Sequence, residues 1–201
     1  MRYEDFLKEL LVREGVTHTV AADLLGVWTQ SKICTVGQTI ELALTSAFSS
    51  SPAMPIQDWA GKSSQAKGNA VANYVVGILA QSPNIKVLPA KKGGFPDEWM
   101  EILGEVYAVE MKATGKFPVQ ESPRTVLLGS TVNLRRSLTN FIAVAPIRQL
   151  VIQIAFQNQA AANPIYRATK IYFFQPDTEI KVKFEASTTE RLLKKVSSRS
   201  F

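Results

Sequence analysis

The sequence predicts an α/β sandwich in which helices flank a mixed central β-sheet, with a further helical region at the N-terminal end. Three observations carry this. Apolar residues recur at helical spacing up to residue 48 and again over 63–79; short β-rich runs dominate from residue 85; and one more helical pattern interrupts those runs. Of the 201 residues 46% are hydrophobic and 20% charged, the balance of a packed core and not of a disordered chain. We divide the chain into an N-terminal helical region, 1–60, and a core, 61–201.

The elements follow in order. Tyr3, Phe6, Leu7, Leu10 and Leu11 form an apolar stripe that predicts a helix over 2–14. Helices are also expected over 19–27 and 37–48, and the Ser/Pro-rich stretch 49–55 then reads as a linker. Ser63 and Ser64 open a third helical pattern that runs to Leu79 and stops before Pro83. Residues 85–89 are expected to form a short strand, and the stretch 93–116 a hairpin. A polar segment, 114–131, holds two prolines and two glycines, and a helix follows over 132–144. Strands are expected at 149–156, 170–174 and 180–184, and a basic helix near 190–196 closes the pattern.

Composition narrows the function. The single cysteine, Cys34, excludes an internal disulfide and a Cys-rich zinc cluster, and it fits a reducing cytoplasm. The opening residues carry charges throughout, so no signal peptide is expected, and no apolar run approaches membrane-spanning length. Net charge is +6 and uneven: residues 1–60 carry −3 and residues 61–201 carry +9. A basic body is the expected footprint of a polyanion-binding protein, although solubility alone also accounts for it. The only histidine, His18, lies in the acidic part, which excludes nucleases whose catalytic histidine must stand beside other catalytic groups. Cys34 has no histidine near it in sequence and reads as a small buried group. No Gly-x-x-x-x-Gly-Lys loop occurs, so no nucleotide cofactor is expected.

The chemistry concentrates in the hairpin. With the turn at Leu103-Gly104, where glycine permits positive φ, paired residue numbers sum to 207. Asp97 then faces Glu110, with Cβ atoms about 5 Å apart. Lys112 shares the Glu110 face, while Tyr107, Val109 and Met111 turn to the core. A one-residue slip would scatter the set. Two close carboxylates repel unless a cation sits between them, and hard oxygen ligands favour Mg²⁺. The alternative is a charged solvent face, with Lys112 paired to one acid. A second acid-x-Lys copy, Asp177 with Glu179 and Lys181, lacks the length for a hairpin and is read as surface.

Pro96-Asp97, twelve residues, then Glu110-Met111-Lys112 resembles the PD-(D/E)XK nuclease signature, in an order of elements that extends the likeness over residues 63–156. The resemblance implies a restriction-endonuclease-like sandwich in which Asp97, Glu110 and the Met111 carbonyl hold Mg²⁺ and Lys112 handles the nucleophilic water. One departure stands out. Many members carry a glutamate in the helix before the hairpin, whereas residues 63–82 contain Lys67-Gly68, Asn69 and Asn73 but no acid.

Nucleic-acid contacts are expected from the basic and amide side chains around that core. Lys116, Gln120 and Arg124 leave the sheet directly after Lys112. Gln157, Asn158, Gln159, Asn163 and Arg167 lie in a second polar stretch able to read base edges. Lys91, Lys92, Arg135 and Arg136 suit phosphate contacts. The reading is a type II restriction endonuclease on double-stranded DNA, acting as a homodimer because one chain holds one workable site. A repair nuclease, a Holliday junction resolvase or a non-catalytic basic DNA-binding module are the alternatives.

Overall fold

The computed structural model describes residues 17, 23, 26–89, 96–115, 148–158, 162–176 and 193–200. These form two helices, α1 (Gln30–Ser50) and α2 (Ser64–Leu79), and six strands: β1 (Ile85–Leu88), β2 (Glu98–Ile102), β3 (Glu105–Thr114), β4 (Gln149–Gln157), β5 (Ile165–Pro176) and β6 (Leu193–Ser200). The described strands make one sheet in the order β1-β2-β3-β4-β5-β6. Every neighbouring pair is antiparallel except β3–β4, so the sheet is mixed, as expected. Residues 116–147 are long enough for the crossover that a parallel step demands.

Both helices start at a side-chain cap. The Thr29 hydroxyl accepts from the Lys32 amide, and the Ser63 hydroxyl from the Ala66 amide. Each such cap is typically worth about 1 kcal/mol. The first cap explains why α1 begins at Gln30 and not near the expected residue 37. Of the helix expected over 19–27, Asp23 is helical, while Gly26 and Val27 lie outside any helix.

Ile33, Val36, Ile40, Leu44 and Phe48 of α1 and Val71, Val75 and Leu79 of α2 recur every three or four residues, so each helix buries one stripe. They meet Tyr107, Val109, Met111, Ile152, Ile154, Ile171 and Phe173 on one face of the sheet, in a single hydrophobic cluster. Described residues on both sides of position 60 belong to it, Trp59 included. The opposite face carries a smaller buried cluster of Val151, Tyr172 and Phe174.

Three expectations are corrected. The stretch 49–55 is no free linker, because Ala53 bridges Ile165, the Met54 amide donates to the Pro164 carbonyl and Met54 is fully buried. The expected strand 170–174 is the centre of a longer one, β5. Residues 193–196, expected in a basic helix, belong to β6, whose backbone pairs with β5 from Pro176↔Leu193 to Lys170↔Ser200. Pairing with β5 is a tertiary contact, and it overrides the local helical pattern of these residues. The expected helices 2–14 and 132–144 and the strand 180–184 lie outside the described residues. Among the described residues no helix is long and apolar enough to cross a membrane.

Candidate active site

The β2–β3 hairpin has the expected register: Glu98 faces Val109 and Ile102 faces Glu105, so paired numbers sum to 207. Leu103 (φ 55°) and Gly104 (φ 84°) both have positive φ, the backbone of a type I′ turn. Asp97 stands one residue before β2, across from Glu110, and its Oδ2 accepts from the Met111 amide at 2.8 Å. That bond ties the residue after Pro96 to the middle of β3 and holds two carboxylates side by side.

Glu110 is no part of a solvent face. It is 3% exposed, and its Oε1 accepts from Lys112 Nζ, whose side chain is 22% exposed. Burial pushes the Glu110 carboxyl up, Lys112 pulls it down and Asp97 raises it again, leaving it at about 7. The neighbouring Glu98 is also raised, first by burial and then by Asp97. One lysine therefore leaves this corner short of positive charge.

The residues present fit a divalent metal on that ground. Asp97 and Glu110 are hard oxygen donors in a place where added positive charge would favour the ionised carboxylates. Among the described residues no three His, Cys, Asp or Glu side chains gather to hold a metal. A metal here would rest on two carboxylates and the Met111 carbonyl, with water and substrate oxygens making up its shell, a pattern Mg²⁺ accepts.

The sheet extends this site sideways. In register across β3, β4 and β5, Glu110 lies beside Val151 and Tyr172, and Lys112 beside Gln153 and Lys170. Gln153 is fully buried, and its Oε1 accepts from the Tyr172 hydroxyl at 3.0 Å. Gln153 and Lys170 escaped the sequence reading. A signal existed: β4 reads QLVIQIAFQ, with Gln149, Gln153 and Gln157 on one face of an otherwise apolar strand.

At the other end of β3, Glu105 sits in a different setting. Its Oε2 accepts from Arg148 Nη2 at 2.9 Å and from the Tyr107 hydroxyl at 3.1 Å, and Lys32 Nζ reaches both of its oxygens at 2.6 and 2.7 Å. Arg148, 1% exposed, lies 5.1 Å from the Trp28 ring and 4.8 Å from the Tyr107 ring. Burial would raise the Glu105 carboxyl, but Lys32, Arg148 and Tyr107 hold it below the usual carboxylate range.

Of the expected nucleic-acid contacts, four are described, all around the β4–β5 connection. Gln157 ends β4 and accepts from Arg167, while Asn158 Oδ1 accepts from Trp59 Nε1 at 3.2 Å. Asn163 is exposed. Arg167 belongs to β5 and not to a loop, and it is the extra residue where pairing shifts from Ala155↔Ala168 to Phe156↔Tyr166. Such a bulge re-aims a side chain. Thr114 of β3 pairs with Ala155, so this connection lies just beyond the Lys112 end of the sheet. Lys91, Lys92, Lys116, Gln120, Arg124, Arg135, Arg136 and Gln159 lie outside the described residues, as does the second acid-x-Lys copy. Comparison with protein-family models, curated proteins and solved structures finds no match for this chain.

Proposed function

We propose that the protein is a Mg²⁺-dependent endonuclease that hydrolyses phosphodiester bonds of double-stranded DNA. Within that class we propose a type II restriction enzyme of the PD-(D/E)XK kind. The observation that carries the reading is the hairpin register, which sets Asp97 across from buried Glu110 with Lys112 on the same face. Asp97, Glu110 and the Met111 carbonyl would hold the metal. When bound, Mg²⁺ supplies Lewis-acid polarisation of the phosphoryl group and lowers the pKa of its water. Lys112 keeps an ammonium beside those carboxylates, where it can hold a water for attack and offset negative charge that grows on the phosphoryl oxygens. The amides and arginine at the β4–β5 connection are the groups for base edges. One carboxylate-lysine set cuts one strand, so a two-fold homodimer supplies the second centre and makes the site palindromic.

The test is incubation of the full chain with plasmid DNA, with Mg²⁺ or with chelator, alongside Asp97→Ala. A discrete set of double-strand fragments in Mg²⁺ alone, lost in Asp97→Ala, is expected. Products nicked on one strand would replace the homodimer by a nicking enzyme. Cleavage only at branched DNA would replace restriction by resolution or repair. DNA binding without cutting would reduce the protein to a basic binding module.

A further inference from the structure

We propose that Lys170 is a phosphate-binding residue that takes a backbone phosphate of duplex DNA next to the one that is cut. Which phosphate it takes rests on the nuclease reading; that it binds one is tested separately. Lys112, Gln153 and Lys170 form one row across β3, β4 and β5. Strands stand about 4.8 Å apart, which places the Lys112 and Lys170 backbones about 10 Å from one another on the same face. Four-carbon stems then let the two ammonium groups serve neighbouring sites on one strand.

The platform beneath Lys170 is rigid. Its Nζ lies 5.1 Å from the centroid of the Tyr172 ring. Tyr172 is fully buried and its hydroxyl is bound to buried Gln153. An ammonium held over a ring face loses little freedom when it accepts an anion. Its charge is also available. Lys112 is paired with Glu110 and Lys32 with Glu105, whereas among the described residues no carboxylate pairs with Lys170. Further along β5 the bulged Arg167 bonds, among the described residues, a neutral amide, Gln157, and extends the positive row toward the β4–β5 connection. A row of cations beside two carboxylates suits a polyanion that passes the site more than a single small anion.

The experiment measures duplex affinity of the full chain in chelator, where no cutting occurs, across a range of salt. Lys170→Gln is expected to weaken binding and to reduce the slope of log affinity against log salt by about 0.9, the value of one phosphate contact. Lys170→Arg should restore the slope, and circular dichroism checks the fold of both. Lys86→Gln makes the same change in net charge on β1 and should leave the slope unaltered. A Lys170→Gln slope equal to wild type or to Lys86→Gln overturns the proposal, as does absence of duplex binding by wild type or failure of arginine to rescue. If Lys170→Gln does not fold, Lys170→Arg with wild-type slope on normal duplex and equal sensitivity to single methylphosphonate linkages supports the contact; insensitivity of both to every such linkage sinks it. Cutting in Mg²⁺ is read apart from this. Wild type that binds through Lys170 but never cuts removes the nuclease reading alone, and wild type that cuts while Lys170→Gln keeps its slope removes this inference alone.

Discussion

Glu105 and Glu110 stand on the same strand, five residues apart, and the protein treats them in opposite ways. Glu105 is 32% exposed and collects Lys32, Arg148 and Tyr107, so its carboxyl is held low. Glu110 is 3% exposed, has one lysine and an adjacent Asp97, and its carboxyl is raised to about 7. The more exposed acid, which least needs help, has two cations; the buried one has one. A carboxylate matched by its cations holds a fold together. One left short of charge and buried beside a second acid is the arrangement expected where a further cation or substrate completes the site.

The strongest way to break that contrast is to remove a partner at each end. Lys112→Ala should lower Mg²⁺-dependent cleavage by roughly 10²–10⁴-fold, the usual contribution of a positioned proton-handling group. It should also cost some stability, since it takes the paired cation from buried Glu110, a loss that protonation of that carboxyl limits. Glu105→Ala should lower stability and leave the cleavage rate of the folded protein largely unchanged. It leaves Arg148, 1% exposed, without its carboxylate. Removing one partner of a buried pair costs about 3–5 kcal/mol, and the one-third exposure of Glu105 brings the expectation to the lower end or below. Denaturant unfolding and initial cleavage rates at equal folded concentration measure both. Equal loss of cleavage in the two variants would show that both ends of β3 serve the same purpose.

A second test sharpens the contrast by pH, with metal removed. Glu110 has a folded-state pKa above its unfolded value, so its contribution to stability is full below about pH 4.5 and is lost as pH rises through about 7. Glu110→Gln should therefore match wild type near pH 4 and exceed it at pH 8.5, by up to roughly 3 kcal/mol. Glu105 has the opposite sign. Its lowered pKa adds stability above the unfolded value and loses it as pH falls through the folded value, so Glu105→Gln should be less stable than wild type at pH 7 and converge with it in acid. Unfolding midpoints from pH 3 to 8.5 would reveal the two trends. Parallel curves for the two variants would remove the distinction between the sites.

Much of the Glu110 end was legible in the sequence and little of the Glu105 end was. The hairpin follows from strand alternation and one turn glycine, both local signals, and they suffice to place Asp97, Glu110 and Lys112 together. Helix α2 is marked by Ser63 at its start and Pro83 beyond its end. The Glu105 cluster draws Trp28 and Lys32, Tyr107, and Arg148 from three separate stretches, and nothing local marks Arg148 as a buried cation. Residues 193–196, the first half of β6, read as the end of a helix because edge pairing to β5 is tertiary and leaves no period in the sequence. The Ser/Pro stretch before α2 read as a linker for the same reason, since its bridge to Ile165 joins residues more than a hundred positions apart.

The smallest expected effect lies at the turn that sets both ends in register. Leu103 is exposed and takes φ 55°, a left-handed conformation in which a side chain crowds the following carbonyl at a cost of roughly 1–2 kcal/mol. Gly104, φ 84°, meets no such cost. The Leu103 amide donates to the Asn84 carbonyl at 3.0 Å, and that bond uses main chain only, so substitution spares it. Asparagine tolerates this conformation and is favoured at the first position of a type I′ turn before glycine. Leu103→Asn should thus raise stability by about 1 kcal/mol without altering the pairing of Glu98 with Val109 or Ile102 with Glu105. Cleavage rate and the pH trends of Glu105 and Glu110 should both stay as in wild type. A stability gain accompanied by lost cleavage would mean that the turn had shifted the strand by a residue, carrying Glu110 and Lys112 to the helix-covered face and Glu105 away from Arg148. Hydrogen exchange at the Met111 amide, bound to Asp97 Oδ2, reports that register directly: protection should persist in Leu103→Asn and be lost if the hairpin slips.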